Sequence, residues 1–490
     1  MVGILTAKSM LFNSLEFGLF FLTVIPLTFL LRGTARRLFL LAASFVFYMA
    51  FVPAFALILI AVILIDYLAG ILMAQLPVEK RRPIFLVSLI ANLGILAVFK
   101  YAKFVVDNVD SLFRLHGSIP TIAWTLPIGL SFHTFQALSY TFEVSRGRTT
   151  AERSLITYAL YVMFFPQLVA GPIERPQNIL PQLRLTPTWD LERVCAGLSL
   201  MSWGFFKKVV IADRAGAFVN VAYDDLSQNH GLRFMVATFC FAFQIYCDFS
   251  GYSDIARGSG RVLGVELMHN FRRPYLSRSV DEFWTRWHIS LSSWFRDYVY
   301  IPLGGGRSGE RKKMLNVLIV FLLSGLWHGA GWNFVLWGVL NGMFVLGSRR
   351  SAKKHADGSA THVRDVLRSV RTFALICVTW VFFRAPDTAT AIKALVVSPY
   401  YAARSLFRIP SDGTAWWNYN ILMNQSIYEF GVLVAALVFL VWFEASGRDE
   451  RLASGTLRFR THTGYLASLS FATLSVGSFG AESVFLYFQF

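Results

Sequence analysis

The chain has 490 residues, 55% hydrophobic and 16% aromatic, with only 15% charged and a mean hydropathy of +0.51. Soluble domains carry roughly 25% charged residues, so this composition excludes an ordinary soluble enzyme and implies an integral membrane protein. The net charge of +17 would raise nucleic acid as a partner in a soluble chain; here the positive residues sit in short loops, as the positive-inside rule requires, and no nucleic-acid partner is expected.

Apolar runs recur at 12–31, 54–73, 84–99, 154–172, 231–247, 312–327, 332–346, 372–383 and 427–443. With a ~20-residue window for crossing the hydrocarbon, they predict roughly ten to twelve spans. The first run follows Lys8 and continues without an Ala-x-Ala cleavage site, so it reads as a retained span. Arg32, Arg36 and Arg37 follow the first span, Lys80, Arg81 and Arg82 the third, and Arg146, Arg148 and Arg153 the fifth. This alternation places the N-terminus outside. The loops 349–371 and 447–460 are basic and 385–426 is nearly balanced, which places both basic loops inside and the C-terminus outside.

No internal repeat or linker marks off a soluble domain, so one membrane domain is expected over 1–490. Cys195, Cys240, Cys247 and Cys377 lie in or beside apolar segments and show neither a disulfide framework nor zinc spacing. Residues 125–300 mix Pro, Gly and charge into apolar sequence. Interrupted helices of that kind are tolerated at membrane depth only where they pack inside protein or line a cavity.

Within that region His133 lies on an apolar face and reads as core. In FAFQIYCDFSGYSDIAR, 241–257, Asp254 has Arg257 three residues on, which predicts an ion pair. Asp248 has no local partner, and the sequence leaves open whether it is interfacial or supports an active-site group. The stretch 281–300, DEFWTRWHISLSSWFRDYVY, is too polar to span. Trp284, Trp287, His288, Leu291, Phe295 and Tyr298 fall on one helical stripe, predicting an amphipathic helix in the interface or dipping into the bundle. Pro302 and Gly304 to Gly306 end it, and Arg307, Arg311, Lys312 and Lys313 anchor the next span.

That span ends in FLLSGLWHGAGWNF, 321–334, where His328 stands among aliphatic, aromatic and glycine residues. Gly325 and Gly329 have the four-residue spacing that lets helices approach closely, and Gly331 loosens the helix. His328 is therefore either a packed imidazole bonded to a neighbouring helix, or one presented to a cavity with Ser324 fixing its tautomer. Ionisable groups inside membranes are functional candidates by default. His288 reads either as an interfacial ring with a wet tip or as a functional partner; one turn and one span separate it from His328, so the two can meet. Motifs for a nucleophile elbow, a zinc protease, a phosphate loop or a dinucleotide fold are absent, and chemistry would rest on a His acting as base.

The runs NFRRPYLSRSVDEFWTRWHISLSSWFRDYVYIPLGG, 270–305, and LSGLWHGAGWNFVLWG, 323–338, resemble the membrane-bound O-acyltransferases, in particular the branch that O-acetylates bacterial alginate and related exopolysaccharides. LPIGLSFHTFQALSY at 126–140, FFPQLVAGPIERPQNILPQL at 164–183, YCDFSGYSDIARGSGRVLG at 246–264, VFFRA at 381–385 and the terminal FLYFQF reinforce the likeness, whose core spans about 125–345. One departure is His133, where the family pattern leads us to expect Tyr or Phe. The resemblance implies an all-α integral membrane protein, a multi-span helical bundle with interfacial or re-entrant helices around a central funnel. It implies His328 as the catalytic histidine and His288 as the second signature position. No bound cofactor or metal is implied; acetyl-CoA or another cytoplasmic thioester is the donor, and a periplasmic acetyl-relay or polysaccharide-modifying protein is the partner. The expected location is the bacterial inner membrane, with both termini periplasmic.

Close alternatives are D-alanyl transfer to teichoic acid and O-acetylation of peptidoglycan or cellulose. A transporter using His328, His288 and Asp248 as a relay would show paired inverted halves, which the sequence lacks. A scaffold without catalysis would tolerate loss of His328.

Overall fold

Hydrocarbon offers no water to backbone N–H and C=O groups, so a chain of this composition has to satisfy them internally. The computed structural model describes residues 10–114, 126–168, 171–226, 229–307, 309–354, 362–405, 416–479 and 485–486, and every regular element among them is helical. Among the described residues, six helices are long and apolar enough to cross a membrane: Phe55–Ala74, Arg82–Phe113, Leu191–Tyr223, Leu232–Val262, Val363–Arg384 and Ile427–Ala445. Leu15–Leu30 is apolar but shorter. The expected count of spans was higher because the sequence window also takes in helices such as Glu310–His328, whose first turn carries Arg311, Lys312 and Lys313. Lys8, residues 355–361 of one basic loop, 406–415 of the balanced loop and 487–490 of the terminal island lie outside the described residues.

Two expected elements are corrected. The apolar run 154–172 is not one helix: Leu155–Met163 stops at Phe164, whose ψ is 110°, before a short turn Phe165–Leu168. Pro166 explains the stop, since its ring clashes with the carbonyl four residues back and it has no N–H to donate. The amphipathic stretch 281–300 is likewise broken, into Val280–Arg286, Ile289–Phe295 and a wider turn Arg296–Tyr300. Ser279 caps the first piece by accepting from Glu282 N at 3.1 Å, and the break falls at His288.

The chain divides into two compact units. One comprises residues 1–201, 252–269 and 457–466. In it, Asp66 on Phe55–Ala74 is fully buried and accepts from Ser88 Oγ and from Asn92 Nδ2 at 2.9 Å. His133 is core, as read, with Nε2 donating to the Leu168 carbonyl at 2.7 Å. The expected Asp254–Arg257 pair is present at 3.5 Å.

The other unit comprises residues 202–251, 270–456 and 467–490. It is organised around the antiparallel hairpin of Glu310–His328 and Trp332–Lys354. The two backbones touch where glycine permits it: a Cβ on Gly325 would strike the Phe334 carbonyl, and one on Gly338 the Phe321 carbonyl. The helix His362–Arg384 packs on the hairpin through Trp380 and Phe383, which meet Trp337 with ring centroids 6.1 and 5.6 Å apart.

Gly325→Ala therefore forces these helices apart. Overpacking of this kind costs about 1–3 kcal/mol, and we expect a lower thermal unfolding midpoint in detergent than for Ala at Gly347, where a Cβ meets open space. Equal midpoints for the two variants would contradict the close crossing.

Candidate active site

His328 is the last residue of Glu310–His328, and the chain leaves the helix at Gly329, extended at φ −162°. Its ring is 4% exposed and enclosed edge-to-face by Trp327, Trp337 and Phe383, at centroid distances of 4.9, 5.0 and 5.2 Å. Phe383 is held there because Asn333, in the first turn of the returning helix, donates to the carbonyls of Phe382 at 3.2 Å and Ala385 at 3.3 Å.

His288 sits at the break between Val280–Arg286 and Ile289–Phe295, with φ +43° and ψ +55°. The left-handed conformation is uncommon outside glycine, with His, Asn and Asp among the exceptions. The residue is 1% exposed, and Phe249 meets its ring at 4.7 Å in a T-shaped contact. Trp327 lies 5.9 Å from it on centroids and so contacts both imidazoles. The structure thus brings His288 and His328 together, as the sequence allowed.

Both histidines line one cavity of about 290 Å³. Val317, Val320, Phe321, Ser324 and His328 give it one wall, a single face of the helix. From Val317 to His328 that wall runs about 16 Å at 1.5 Å per residue. Ile289, Ser292, Ser293, Arg296 and Tyr300 form a second wall, and Trp284 a third. At the Val317 end stand Arg349 and Asp281, paired at 2.6 Å. The hairpin brings its two basic ends, Arg311 to Lys313 and Arg349, to this same side. The cavity therefore runs from a charged end along an apolar and aromatic shaft to the imidazoles.

Asp248 is not interfacial but buried, accepting from Lys208 Nζ at 2.7 Å and from Leu486 N at 2.8 Å; Lys208 also meets Asp213 at 2.8 Å. Its neighbour Phe249 is the residue packed on His288. Sequence reading missed Lys208, Asn270, Ser290 and the aromatic enclosure. Trp284 and Trp287 were in view on an amphipathic stripe, but Trp327, Trp337 and Phe383, the rings that enclose His328, carry no spacing that marks them.

The sequence profile of the membrane-bound O-acyltransferase family matches residues 91–384. The probable alginate O-acetylase AlgI of Pseudomonas aeruginosa is 38% identical over 441 residues, 89% of this chain and 81% of its own. The peptidoglycan O-acetyltransferase of Helicobacter pylori is 30% identical over 530 aligned positions, covering 100% of this chain and 99% of its own. The teichoic acid D-alanyltransferase of Bacillus subtilis is 24% identical over 51% of this chain and 66% of its own.

Burial pushes the His288 imidazole down, to about 3, from an ordinary value of about 6.5. Between those values the unfolded chain binds a proton that the folded one does not, so the stability tied to the neutral ring is present above about pH 6.5 and is lost as pH falls toward 3. We expect the unfolding midpoint of the wild-type chain to fall more steeply from pH 6.5 to 4 than that of His288→Asn, which tolerates the same backbone. Parallel curves would show that His288 titrates normally.

Proposed function

The chain belongs to the membrane-bound O-acyltransferase family and is an O-acyltransferase; from that premise we propose that it takes an acetyl group from a cytoplasmic thioester, acetyl-CoA, and passes it across the inner membrane for O-acetylation of an exported polysaccharide such as alginate. The observation that carries this reading is that His288 and His328 line one cavity whose other end, at the Arg349–Asp281 pair, lies on the side of the hairpin that carries Arg311, Lys312 and Lys313. By the positive-inside rule that side of the hairpin faces the cytoplasm, where the donor is made. A volume of about 290 Å³ has room for an acetyl group at the end of a narrow carrier arm.

In the proposed step a ring nitrogen of His328 takes the proton of the acceptor hydroxyl as its oxygen attacks the thioester carbonyl. The tetrahedral adduct collapses, the carbon–sulfur bond breaks, and the thiolate leaves with a proton returned by the imidazolium. General base catalysis supplies typically 10²–10⁴-fold, or roughly 3–5 kcal/mol; the remainder falls to orientation of both substrates. His288, held neutral, orients donor or acceptor beside it. The acyltransferase family sets aside the transporter and scaffold readings. The match to D-alanyltransferases over about half the chain supports acetyl less D-alanyl. The end-to-end match to a peptidoglycan enzyme makes cell-wall glycan the second acceptor to test.

We further propose a periplasmic partner that receives the acetyl group, since the outside segment at 385–426 is too short to fold as a polysaccharide-binding domain. The same reading keeps roughly ten to twelve spans around a central funnel, with both termini periplasmic.

His328→Ala should leave the chain inserted and abolish transfer of radiolabelled acetyl in membranes supplied with periplasmic extract. Near-normal turnover at equal expression would sink the base assignment. In sealed vesicles, transfer should require acetyl-CoA on the cytoplasmic face; transfer with donor confined to the periplasmic face would contradict the proposed sidedness.

A further inference from the structure

The break at His288 interrupts a helix in a buried setting, and the groups it frees need partners. They come from one short segment. The Asn270 carbonyl accepts from Ile289 N at 2.9 Å, and two residues on, Arg272 N donates to the Arg286 carbonyl at 3.0 Å. The Asn270 side chain adds a third contact: Oδ1 accepts from Ser290 Oγ at 2.6 Å and from Ser290 N at 3.3 Å. Asn270 is 1% exposed and Ser290 0%. The segment thus brackets His288, bonding to residues on both sides of it while leaving the ring on the cavity wall.

We propose that Asn270 is a positioning residue for acyl transfer: through Ile289 and Ser290 it holds the left-handed turn that sets the His288 ring against the cavity. The inference rests on the reading that His288 takes part in transfer. The backbone bond from Asn270 survives any substitution, but the Oδ1 contacts do not. Without them Ser290 loses its side-chain tie to Asn270, and the turn is free to relax toward negative φ, which the residue prefers. That rotation carries the imidazole away from its place beside Trp327. A displacement of about 1 Å in a reacting or orienting group costs on the order of 10²-fold in rate. Binding of the donor along the shaft does not pass through Asn270, so affinity is spared.

The test uses the full chain in membranes, with radiolabelled acetyl-CoA, periplasmic extract as acceptor, and rates expressed per inserted molecule. Asn270→Leu keeps the side chain's bulk and removes its acceptor; it should lower kcat about 100-fold with KM for acetyl-CoA unchanged. Ser290→Ala should lower kcat about 10-fold, again at constant KM, and the double variant should be no worse than Asn270→Leu, because both substitutions break one connection. A purely structural role predicts the reverse pattern, less inserted protein with wild-type kcat per molecule, and that result overturns the proposal. If Asn270→Leu does not insert, Ser290→Ala decides alone: wild-type kcat overturns the positioning role. His288→Ala, assayed beside them, separates the two claims. Full activity in that variant removes His288 from transfer altogether, whereas loss there with wild-type kcat in Asn270→Leu and Ser290→Ala removes only the role of Asn270.

Discussion

Irregular backbone within a membrane protein has to find hydrogen-bond partners in the protein itself, because hydrocarbon supplies none. Both histidines sit where a helix is interrupted, and this requirement shapes everything near them. At His328 the requirement is met locally: Gly329 N–H donates to the Gly325 carbonyl at 3.2 Å, and the next helix starts at Trp332. At His288 it is met from elsewhere in the chain, by residues 270–272. The island 270–305 therefore behaves as one piece of structure, its first three residues being the support for the break in its middle.

The same logic governs the buried charge. Lys208, Asp213 and Asp248 are all 4% exposed or less, and one ammonium serves two carboxylates. The second Asp248 oxygen is taken by Leu486 N–H, so the carboxylate bonds to the C-terminal segment as well as to the lysine. Removing one member of a buried pair costs about 3–5 kcal/mol, mostly because the other is left without compensation. Phe249, next to Asp248, carries that rigidity to His288, and Phe485 meets Phe249 at 5.9 Å.

What could be read from sequence was what depends on neighbours in sequence. The Asp254–Arg257 pair was legible because residues three apart share a helix face; of the expected glycine pair, Gly325 does lie at the close helix crossing, whereas Gly329 falls past the helix end and the facing glycine is Gly338. Asp248 was not, since its lysine lies 40 residues earlier. The break at His288 was hidden for a different reason. A stripe of apolar residues continues at helical spacing across a kink, and a left-handed residue other than glycine leaves no mark in composition. The run 154–172 carried its own warning in Pro166, outweighed by the length of apolar sequence around it. The candidate site divides the same way: His328 stands out as an ionisable group in apolar sequence, whereas Asn270 acquires meaning only from where the fold puts it.

The aromatic enclosure bears on how the site would handle a reactive donor. Trp327, Trp337 and Phe383 surround His328, and Trp284 lies against Trp337 at 5.5 Å, so the rings form a continuous apolar sheath. A sheath of this kind excludes water, which both strengthens electrostatic interactions inside and protects a thioester from hydrolysis. Burial in this sheath is also what pushes the His288 imidazole down, since a protonated ring there would lose its hydration. The serines that line the shaft, Ser292, Ser293 and Ser324, are too few to solvate an ion but enough to bond an amide or hydroxyl. His328 inside this sheath would gain its positive charge beside the oxyanion of the tetrahedral adduct, so that the two developing charges offset each other as the hydroxyl attacks.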